Sequence, residues 1–261
     1  MSSAALQDVD PAPGGDAGWP RREPVAGVPA PGLVQCWRIV VSSLDPADLG
    51  GLSQDLDPLE HARAGRFHRF EDRRRFIAGR VGIRRLLSAA LGSAPVLSSD
   101  GFGKPFCADR SVEFNISHSG DVVLVALAAG FQVGIDVERQ DPISDMAATW
   151  RRNFHPGEVA ELDRLDKDEA LFGFLRCWTR KEAVSKALGV GLSMALDSFQ
   201  VSTRAGEPPR LLTLPPDMDT RWSLRDLHPA AGYTAAFAAP VQDLTITCAT
   251  LDLGNGRRGR P

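Results

Sequence analysis

Apolar and polar residues recur along this chain with two different periods, and the change of period predicts the elements. An apolar residue every three to four positions predicts one helix over residues 58–91, and helical pieces over residues 145–189 that are interrupted at His155-Pro156-Gly157. Alternation or short apolar runs predict strands over residues 34–41, 112–117, 122–129, 133–138, 198–203, 222–227, 233–239 and 244–253. Because helices and antiparallel strands come in blocks, the predicted fold class is α+β.

The two ends of the chain lack this pattern. Residues 1–31 are rich in Ala, Pro, Gly and Asp and have no apolar period, which predicts a disordered leader. Residues 254–261 form a short basic tail. The globular part is therefore expected between residues 32 and 253.

Composition and charge exclude several classes of protein. Of the 261 residues, 43% are hydrophobic, which is too many for a disordered chain. With 30 basic and 33 acidic residues the net charge is −3, so bulk charge does not favour nucleic-acid binding. No apolar run approaches the roughly 20 residues that cross a bilayer, and no signal peptide is evident, so we expect a cytoplasmic protein. Four widely separated cysteines argue against a disulfide scaffold or a structural zinc site.

Two carboxylates share one face of the strand predicted at residues 133–138. Asp136 and Glu138 are two positions apart, so they point away from the face that carries the apolar residues. Gly134 lies on the carboxylate face and leaves room for a close approach. A solvated strand face is one interpretation. The other is a Mg²⁺ site, because Mg²⁺ takes one or two protein carboxylates and completes its shell with water and phosphate.

A third carboxylate lies in the last predicted helix. Trp178, Glu182 and Lys186 are spaced four apart and therefore share one helix face. They are either a Glu182–Lys186 ion pair beside a packed Trp, or a metal ligand with an ammonium for a phosphate oxygen. The chain has 26 Arg but only four Lys, and two of the four lysines lie between residues 178 and 186, which favours the second interpretation.

Polar residues follow two of the predicted strands. Ser117 and His118 lie at a strand end, where they can donate hydrogen bonds to an anion or make an ordinary turn. Gly103, Lys104 and Pro105 place a third lysine in a loop that lacks the pattern of a phosphate-binding Walker loop.

The predicted helix over residues 58–91 is unusually basic. Nine Arg lie between Glu60 and Arg85, against three acidic residues. Such a helix presents either a solvated basic face or a binding site for phosphate groups.

Four motifs follow one another in a fixed order: Gly103-Lys104-Pro105, Phe-Asn-Ile-Ser-His-Ser at 114–119, Val-Gly-Ile-Asp-Val-Glu at 133–138 and Trp-Thr-Arg-Lys-Glu-Ala at 178–183. In this order and spacing they resemble the 4'-phosphopantetheinyl transferases of the Sfp type. The motifs span residues 103 to 192, and the overall pattern extends from about residue 34 to 253. The leader before Gly32 is not part of the family core.

This resemblance implies an α+β fold of two similar lobes with pseudo-twofold symmetry, each a helix packed on a small, mostly antiparallel sheet. The lobes would comprise residues 32–138 and 139–253. Coenzyme A would bind between them, and a carrier-protein domain would dock beside it. A monomer is expected.

The resemblance also implies roles for individual residues. Asp136, Glu138 and Glu182 would bind the metal ion, which would be Mg²⁺ or alternatively Mn²⁺. Lys186 would contact the diphosphate of coenzyme A. Other positions near the cofactor would be Gly103, Lys104, Pro105, Ser117 and His118 around the nucleotide, and Arg63, Arg75 and Arg80 at the 3'-phosphate. Glu60 departs from the family, since some members carry a basic residue there.

The reaction that the resemblance implies is transfer of 4'-phosphopantetheine from coenzyme A to a serine of an acyl, peptidyl or aryl carrier protein, releasing adenosine 3',5'-bisphosphate. Such enzymes activate polyketide, non-ribosomal peptide or fatty acid synthases. Glu182, directly or through a metal-bound water, would take the serine proton, and Lys186 would add positive charge on the leaving side.

Two other functions remain open on the sequence alone. The Arg63–Arg85 helix could bind nucleic acid, which predicts salt-sensitive binding to any polyanion. The overall acidic charge argues against it. A relative that binds coenzyme A but has lost transfer would serve as a scaffold; the intact carboxylates and lysines argue against that function.

Overall fold

The computed structural model describes residues 18–99, 101, 104–189, 194–215 and 221–254. Its helices are α1 (Pro46–Leu52), α2 (Pro58–Ala64), α3 (Phe70–Leu91), α4 (Met146–Asn153), α5 (Pro156–Leu162) and α6 (Lys167–Leu188). Its strands are β1 (Leu33–Val40), β2 (Leu97–Ser99), β3 (Pro105–Cys107), β4 (Glu113–Ser119), β5 (Val122–Ala128), β6 (Gly134–Arg139), β7 (Gln200–Val201), β8 (Leu211–Thr213), β9 (Ser223–Leu227), β10 (Tyr233–Ala239) and β11 (Thr245–Thr250).

The strands form two main sheets and two short pairs. The first sheet has the order β11-β1-β5-β4 and the second has the order β6-β10-β9. The pairs are β2-β3 and β7-β8. Strand β11 runs parallel to β1, and the other neighbours are antiparallel. The predicted α+β class, with small and mostly antiparallel sheets, is confirmed.

Layers of helix, sheet, sheet and helix follow from the alternation of apolar residues. Helix α3 packs on one face of the first sheet, through a core that includes Ile77 and Phe114. The other face of that sheet packs on the second sheet, where Leu124 and Phe237 belong to one core. Helix α6 covers the remaining face of the second sheet through residues such as Val184. Each strand thus contributes alternate side chains to two different cores.

Two strands lie in a sheet other than the one that chain order predicts. Strand β11, expected in the second lobe, extends the first sheet, with Leu33 opposite Thr245. Strand β6, expected in the first lobe, pairs with β10, with Tyr233 opposite Arg139. Alternation of apolar residues identifies a strand but not its partner, so these exchanges are not visible in the sequence.

The two halves repeat one arrangement of a short helix followed by a long one. Helices α2 and α5 each have seven residues and start with Pro after a capping box, in which Asp57 pairs with Glu60 and His155 with Glu158. Helices α3 and α6 each have 22 residues and end at a left-handed glycine, Gly92 or Gly189, with φ of 70° and 72°. This repetition agrees with the predicted similarity of the lobes.

The helix predicted over residues 58–91 is in fact two helices. Helix α2 ends at its C-cap, Gly65, and the backbone at Arg69 is extended before α3 begins. Phe67 lies between the helices and packs against Phe76 with ring centroids 5.3 Å apart. The apolar spacing continues through this short connection, so periodicity alone did not detect the break.

The predicted leader is ordered in the part that the structure describes. Trp19 is only 1% exposed, and its indole N–H donates to the carbonyl of His228 at 2.9 Å. The backbone of Pro20 and Arg22 bonds to Thr250, at the end of β11. A disordered leader over all of residues 1–31 is therefore wrong for residues 18–31, because a buried Trp and backbone pairing hold them. Residues 1–17 and 255–261 lie outside the described residues.

Composition argues against a disulfide scaffold and against a segment that crosses a membrane. All four cysteines are free thiols, and Cys36 lies opposite Cys248 in the β1–β11 pair. Across the helices that the structure describes, none is long and apolar enough to cross a bilayer.

Candidate active site

The site lies where helix α6 rests directly on strand β6. A Cβ atom at Gly134 would be 1.9 Å from the carbonyl oxygen of Ala183 and 2.5 Å from the amide nitrogen of Ala187. The close approach that the sequence predicts at Gly134 is thus made by the backbone of α6. As a result Glu182 and Lys186, on adjoining turns of α6, lie beside the carboxylate face of β6.

Asp136 is the most buried acidic residue of this site. It is 3% exposed, on the face of β6 that α6 covers. Its Oδ1 accepts hydrogen bonds from Ser117 Oγ at 2.8 Å and from Lys186 Nζ at 2.6 Å. Its Oδ2 is buried and has no hydrogen-bond partner among the described residues. A buried carboxylate oxygen without a partner is costly, so this atom is positioned for a ligand.

Glu138 and Glu182 are half-buried carboxylates near Asp136. Burial raises the pKa of Glu138; the hydrogen bond from Ser119 Oγ, 2.8 Å from Oε2, opposes this, while Asp136 and Glu182 add repulsion. Burial also raises the pKa of Glu182, Asp136 raises it further, and Lys186 opposes the increase. Oε1 of Glu182 is buried without a partner among the described residues. Three carboxylates therefore share one strongly negative region.

The chemistry of these carboxylates can be compared with what a divalent cation requires. Within the described part of the chain, no three His, Cys, Asp or Glu side chains converge enough to enclose a metal ion by themselves. The unpartnered oxygens of Asp136 and Glu182 are nevertheless hard ligands of the type that Mg²⁺ prefers. Since Mg²⁺ commonly uses one or two carboxylates together with phosphate and water, the donor set fits this metal.

Lys186 neutralises part of this negative charge. Its ammonium donates to Asp136 Oδ1, to Ser117 Oγ at 3.1 Å and to the carbonyl of Ile135 at 3.3 Å. The partner is thus Asp136 across the helix–strand contact, whereas the alternative interpretation from sequence was an ion pair with Glu182 along the helix. Because an ammonium has three N–H donors, a phosphate oxygen would have to replace one of these acceptors.

Lys104, the lysine of the predicted loop, is hydrogen-bonded to helix α6. Lys104 Nζ donates to the carbonyl of Lys186 at 2.8 Å and to Gln132 Oε1 at 3.3 Å. Its positive charge lies near the C-terminal end of α6, where the helix dipole favours a cation. Pro105 begins strand β3 next to it. Gly103 lies outside the described residues.

His118 and Arg75 lie near the β4–β5 turn. Arg75 donates to the carbonyl of Gly120 at 3.1 Å and pairs with Asp72. The ring of His118 reaches the surface, yet the surrounding protein desolvates it enough to lower its pKa, and the charges of Arg75 and Lys186 add to the decrease. A neutral imidazole is therefore favoured at this position.

Arg63 and Arg80 form a second basic cluster around Phe76. Each guanidinium carbon lies 5.5 Å from the centroid of the Phe76 ring. Burial lowers the pKa of Arg80, an effect that Glu60 opposes and Arg63 reinforces. Glu60, the departure from the family pattern, is buried and accepts from Arg84 Nε at 2.8 Å. It belongs to the capping box of α2 and so has a structural contact of its own.

The structure thus joins some predicted site residues to one another and gives two others a different neighbour. The residues joined by hydrogen bonds or charge interactions at the β6–α6 contact are Ser117, Asp136, Glu138, Glu182, Lys186 and Lys104. Arg63 and Arg80 lie around Phe76 instead.

Sequence reasoning missed two polar side chains that contact the site, and it assigned no role to Lys181. Ser119 bonds Glu138, and Asn115 Oδ1 accepts from the backbone N–H of Ile135 at 3.1 Å. Their signal was the row of polar residues at alternate positions of β4. Lys181, inside the fourth motif, is completely buried and pairs with Glu158 at 2.9 Å, so it supports the fold.

Comparison with known proteins agrees with these motifs. The family model described as "4'-phosphopantetheinyl transferase superfamily" matches residues 132–238, and the one described as "4'-phosphopantetheinyl transferase, N-terminal" matches residues 45–130. The 4'-phosphopantetheinyl transferase HetI of Nostoc sp. is 37% identical over 212 residues, which are 78% of this chain and 86% of the relative.

Two Bacillus subtilis proteins are also similar. The 4'-phosphopantetheinyl transferase Sfp is 37% identical over 150 residues, covering 56% of this chain and 66% of its own length. The 4'-phosphopantetheinyl transferase ffp is 35% identical over 182 residues, covering 68% and 79%. Motifs, family models and relatives agree, and this chain belongs to the 4'-phosphopantetheinyl transferase superfamily.

Proposed function

We propose that this phosphopantetheinyl transferase moves the 4'-phosphopantetheine group from coenzyme A to a serine hydroxyl of an acyl, peptidyl or aryl carrier protein, and that a divalent cation is required. The observation that supports this best is the pair of buried, unpartnered carboxylate oxygens of Asp136 and Glu182 beside the Lys186 ammonium. Such a group of charges suits the diphosphate of a cofactor together with a cation.

The proposed reaction exchanges one phosphorus–oxygen bond for another. The serine oxygen of the carrier forms a bond to the phosphorus next to pantetheine. The bond from that phosphorus to the bridging oxygen of the diphosphate breaks, and adenosine 3',5'-bisphosphate leaves with the electron pair. The serine proton passes to a base on the enzyme.

Asp136, Glu138 and Glu182 would hold the cation, which we propose is Mg²⁺ with Mn²⁺ as an alternative. When bound, it supplies positive charge that neutralises the diphosphate of coenzyme A. The carboxylates themselves need this compensation, because burial and mutual repulsion raise the pKa of Glu138 and of Glu182.

Glu182 is the proposed base for the serine proton, directly or through a water molecule. Its side chain lies in the same group of charges as Asp136 and Lys186, where the diphosphate and the serine of the carrier would meet. Lys186 is proposed to stabilise charge on the leaving diphosphate oxygen. It can do so by exchanging its longest contact, the one to the carbonyl of Ile135, for a phosphate oxygen.

Other residues are proposed to bind the nucleotide part of coenzyme A. Ser117, His118, Gly103, Lys104 and Pro105 would contact it near the diphosphate, and Arg63, Arg75 and Arg80 would receive the 3'-phosphate. The cation–π contacts that orient Arg63 and Arg80 support a preorganised phosphate site. We further propose that the enzyme acts as a cytoplasmic monomer on carrier domains of polyketide, non-ribosomal peptide or fatty acid synthases.

Intact-mass spectrometry tests this proposal. An apo carrier domain incubated with the protein, coenzyme A and Mg²⁺ should gain the mass of one phosphopantetheine group, and EDTA should prevent the gain. Asp136→Asn should lower the transfer rate by about 100-fold or more, because the variant loses a charge that holds cation and ammonium. Asp141→Asn is the matched control: this exposed carboxylate pairs with Arg139 outside the site, so its removal should leave the rate unchanged.

The outcomes separate the parts of the proposal. No mass gain on several carriers would refute transfer from coenzyme A. A gain that persists in EDTA would refute the need for a cation, and an equal rate for Asp136→Asn and wild type would refute the assignment of Asp136.

A further inference from the structure

Strands β4 and β6 lie side by side and run in the same direction, and side chains of β4 connect them. Three polar residues at alternate positions of β4 each bond to β6. The contacts are Asn115 Oδ1 to the N–H of Ile135 at 3.1 Å, Ser117 Oγ to Asp136 Oδ1 at 2.8 Å, and Ser119 Oγ to Glu138 Oε2 at 2.8 Å. Two of these three contacts therefore end on a carboxylate of the site.

The hydroxyl of Ser119 has a defined direction. Its oxygen accepts the backbone N–H of Arg139 at 3.0 Å, so the backbone of β6 holds that oxygen in place. The one hydroxyl proton is then free to point at Glu138 Oε2. This bond occupies one carboxylate oxygen of Glu138 and limits rotation of its side chain.

The strands do not depend on this hydroxyl for their pairing. Ser119 pairs with Val122 through the backbone of the β4–β5 hairpin, and Arg139 pairs with Tyr233 in the second sheet. Loss of a half-buried hydroxyl that water can replace costs little stability. Among the residues that the structure describes, in contrast, the Glu138 carboxylate accepts no hydrogen bond other than the one from Ser119.

We propose that Ser119 is a positioning residue that orients Glu138 toward the divalent cation. This inference rests on the proposed function, in which Glu138 is one of the ligands. Partners that orient a metal ligand commonly affect metal affinity by about 10–100-fold, although they never touch the metal.

The test compares three variants. Ser119→Ala removes the hydroxyl, and Ser119→Thr keeps it on a side chain that suits a strand. Ser42→Ala is the matched control, because the Ser42 hydroxyl also donates to a carboxylate, that of Asp121 in the adjoining hairpin turn, but outside the site. Mn²⁺ uptake is measured by electron paramagnetic resonance in the presence of coenzyme A, with coenzyme A alone as the blank. The Mg²⁺ dependence of carrier modification and the melting temperature are measured in parallel.

Ser119→Ala should bind Mn²⁺ about 10-fold more weakly and need about 10-fold more Mg²⁺ for half-maximal rate, with kcat recovered at saturating Mg²⁺. Its melting temperature should fall by about 4 °C or less. Ser119→Thr and Ser42→Ala should bind Mn²⁺ like the wild type.

Unchanged Mn²⁺ affinity in Ser119→Ala would overturn the role of Ser119. Equal losses in Ser119→Ala and Ser42→Ala would also overturn it, since they would show a general effect of the hairpin. If the wild type itself took up no Mn²⁺, the cation of the proposed function would be refuted instead.

Discussion

The two halves of the molecule fix their long helices in the same way but to different depths. In each half, the glutamate of the capping box accepts from the fifteenth residue of the following helix: Glu60 from Arg84 and Glu158 from Lys181. Glu60 and Arg84 keep 10% and 17% of their side-chain surface exposed, whereas Glu158 and Lys181 keep none. In the second half the ion pair is completely shielded from water, whereas in the first half water partly screens the charges of the pair.

The halves also differ in where they place glycine. In the first half the glycine is on the helix: a Cβ at Gly79 of α3 would lie 2.9 Å from Ile116 Cδ1, so a side chain of the sheet fills the space. In the second half the glycine is on the strand, and the backbone of α6 fills the space at Gly134. This contact brings Lys186 to Asp136.

The largest expected effect on stability comes from adding a side chain at Gly134, and the same change at Gly79 is the comparison. Gly134→Ala forces α6 away from β6, because the new Cβ would meet backbone atoms that cannot rotate aside. We expect a loss of about 3 kcal/mol or more of unfolding free energy, together with loss of transfer activity. Gly79→Ala meets the mobile end of Ile116 and gains about 1 kcal/mol of helix propensity, so its net change should stay within about 1 kcal/mol. Denaturant unfolding measures both.

Wild-type stability in Gly134→Ala would contradict the direct contact of α6 with β6. Similar losses in both variants would show that the difference between the halves has no energetic consequence.

A smaller difference is expected from the two ion pairs. Lys181→Met leaves Glu158 buried without its cation and should cost about 3–5 kcal/mol at pH 7. Arg84→Met leaves Glu60 near water and near Arg80, 3.8 Å away, so it should cost about 1 kcal/mol. Unfolding in urea at pH 7 compares the two, and a larger cost for Arg84→Met would reverse the contrast.

The Lys181→Met variant should also respond to pH in a defined direction. Burial already raises the pKa of Glu158 above its ordinary value of 4.5, and removal of the lysine raises it further. The folded state then holds the proton more tightly than the unfolded state, so stability is lost as pH rises above about 4.5. The deficit relative to wild type should be smaller at acidic pH than at pH 7.

The smallest effect concerns a single group at the site in the first half. The pKa of His118 is lowered below 6.5 by desolvation and by its cationic neighbours. The unfolded chain therefore takes up this proton first, and the folded state loses stability as pH falls below about 6.5. His118→Gln should flatten the decrease in stability between pH 7 and pH 5, as followed by urea unfolding. An identical slope in both proteins would contradict the assignment.

Local pattern predicted most elements but not where one helix ends. Strand β10 was predicted with its observed bounds, and the interruption at His155-Pro156-Gly157 became the start of α5. The break between α2 and α3 was missed, because the connecting residues 65–69 keep the apolar spacing of a helix. Apolar periodicity indicates which residues are buried. A short connection can bury residues at the same spacing as a helix, so the pattern does not show where one helix ends.

The sequence predicted which residues are candidates for the site, but not which of them contact one another. Asp136, Glu138, Glu182 and Lys186 were identified from strand alternation, helix spacing and the motifs. That Lys186 pairs with Asp136 depends on a contact between residues 50 apart. The structural role of Lys181 could not be predicted either, since helix α6 carries both a buried structural lysine and a lysine at the site.

By itself the sequence determined the α+β class, the family, and the residue types available for chemistry, because all of these follow from local periods and from motifs in a fixed order. The tertiary structure alone decided that β11 joins β1, that β6 joins β10, and that α6 lies against Gly134. The physical reason is that the sequence pattern indicates which residues are buried, whereas the choice of partner depends on packing between segments that can be more than 200 residues apart.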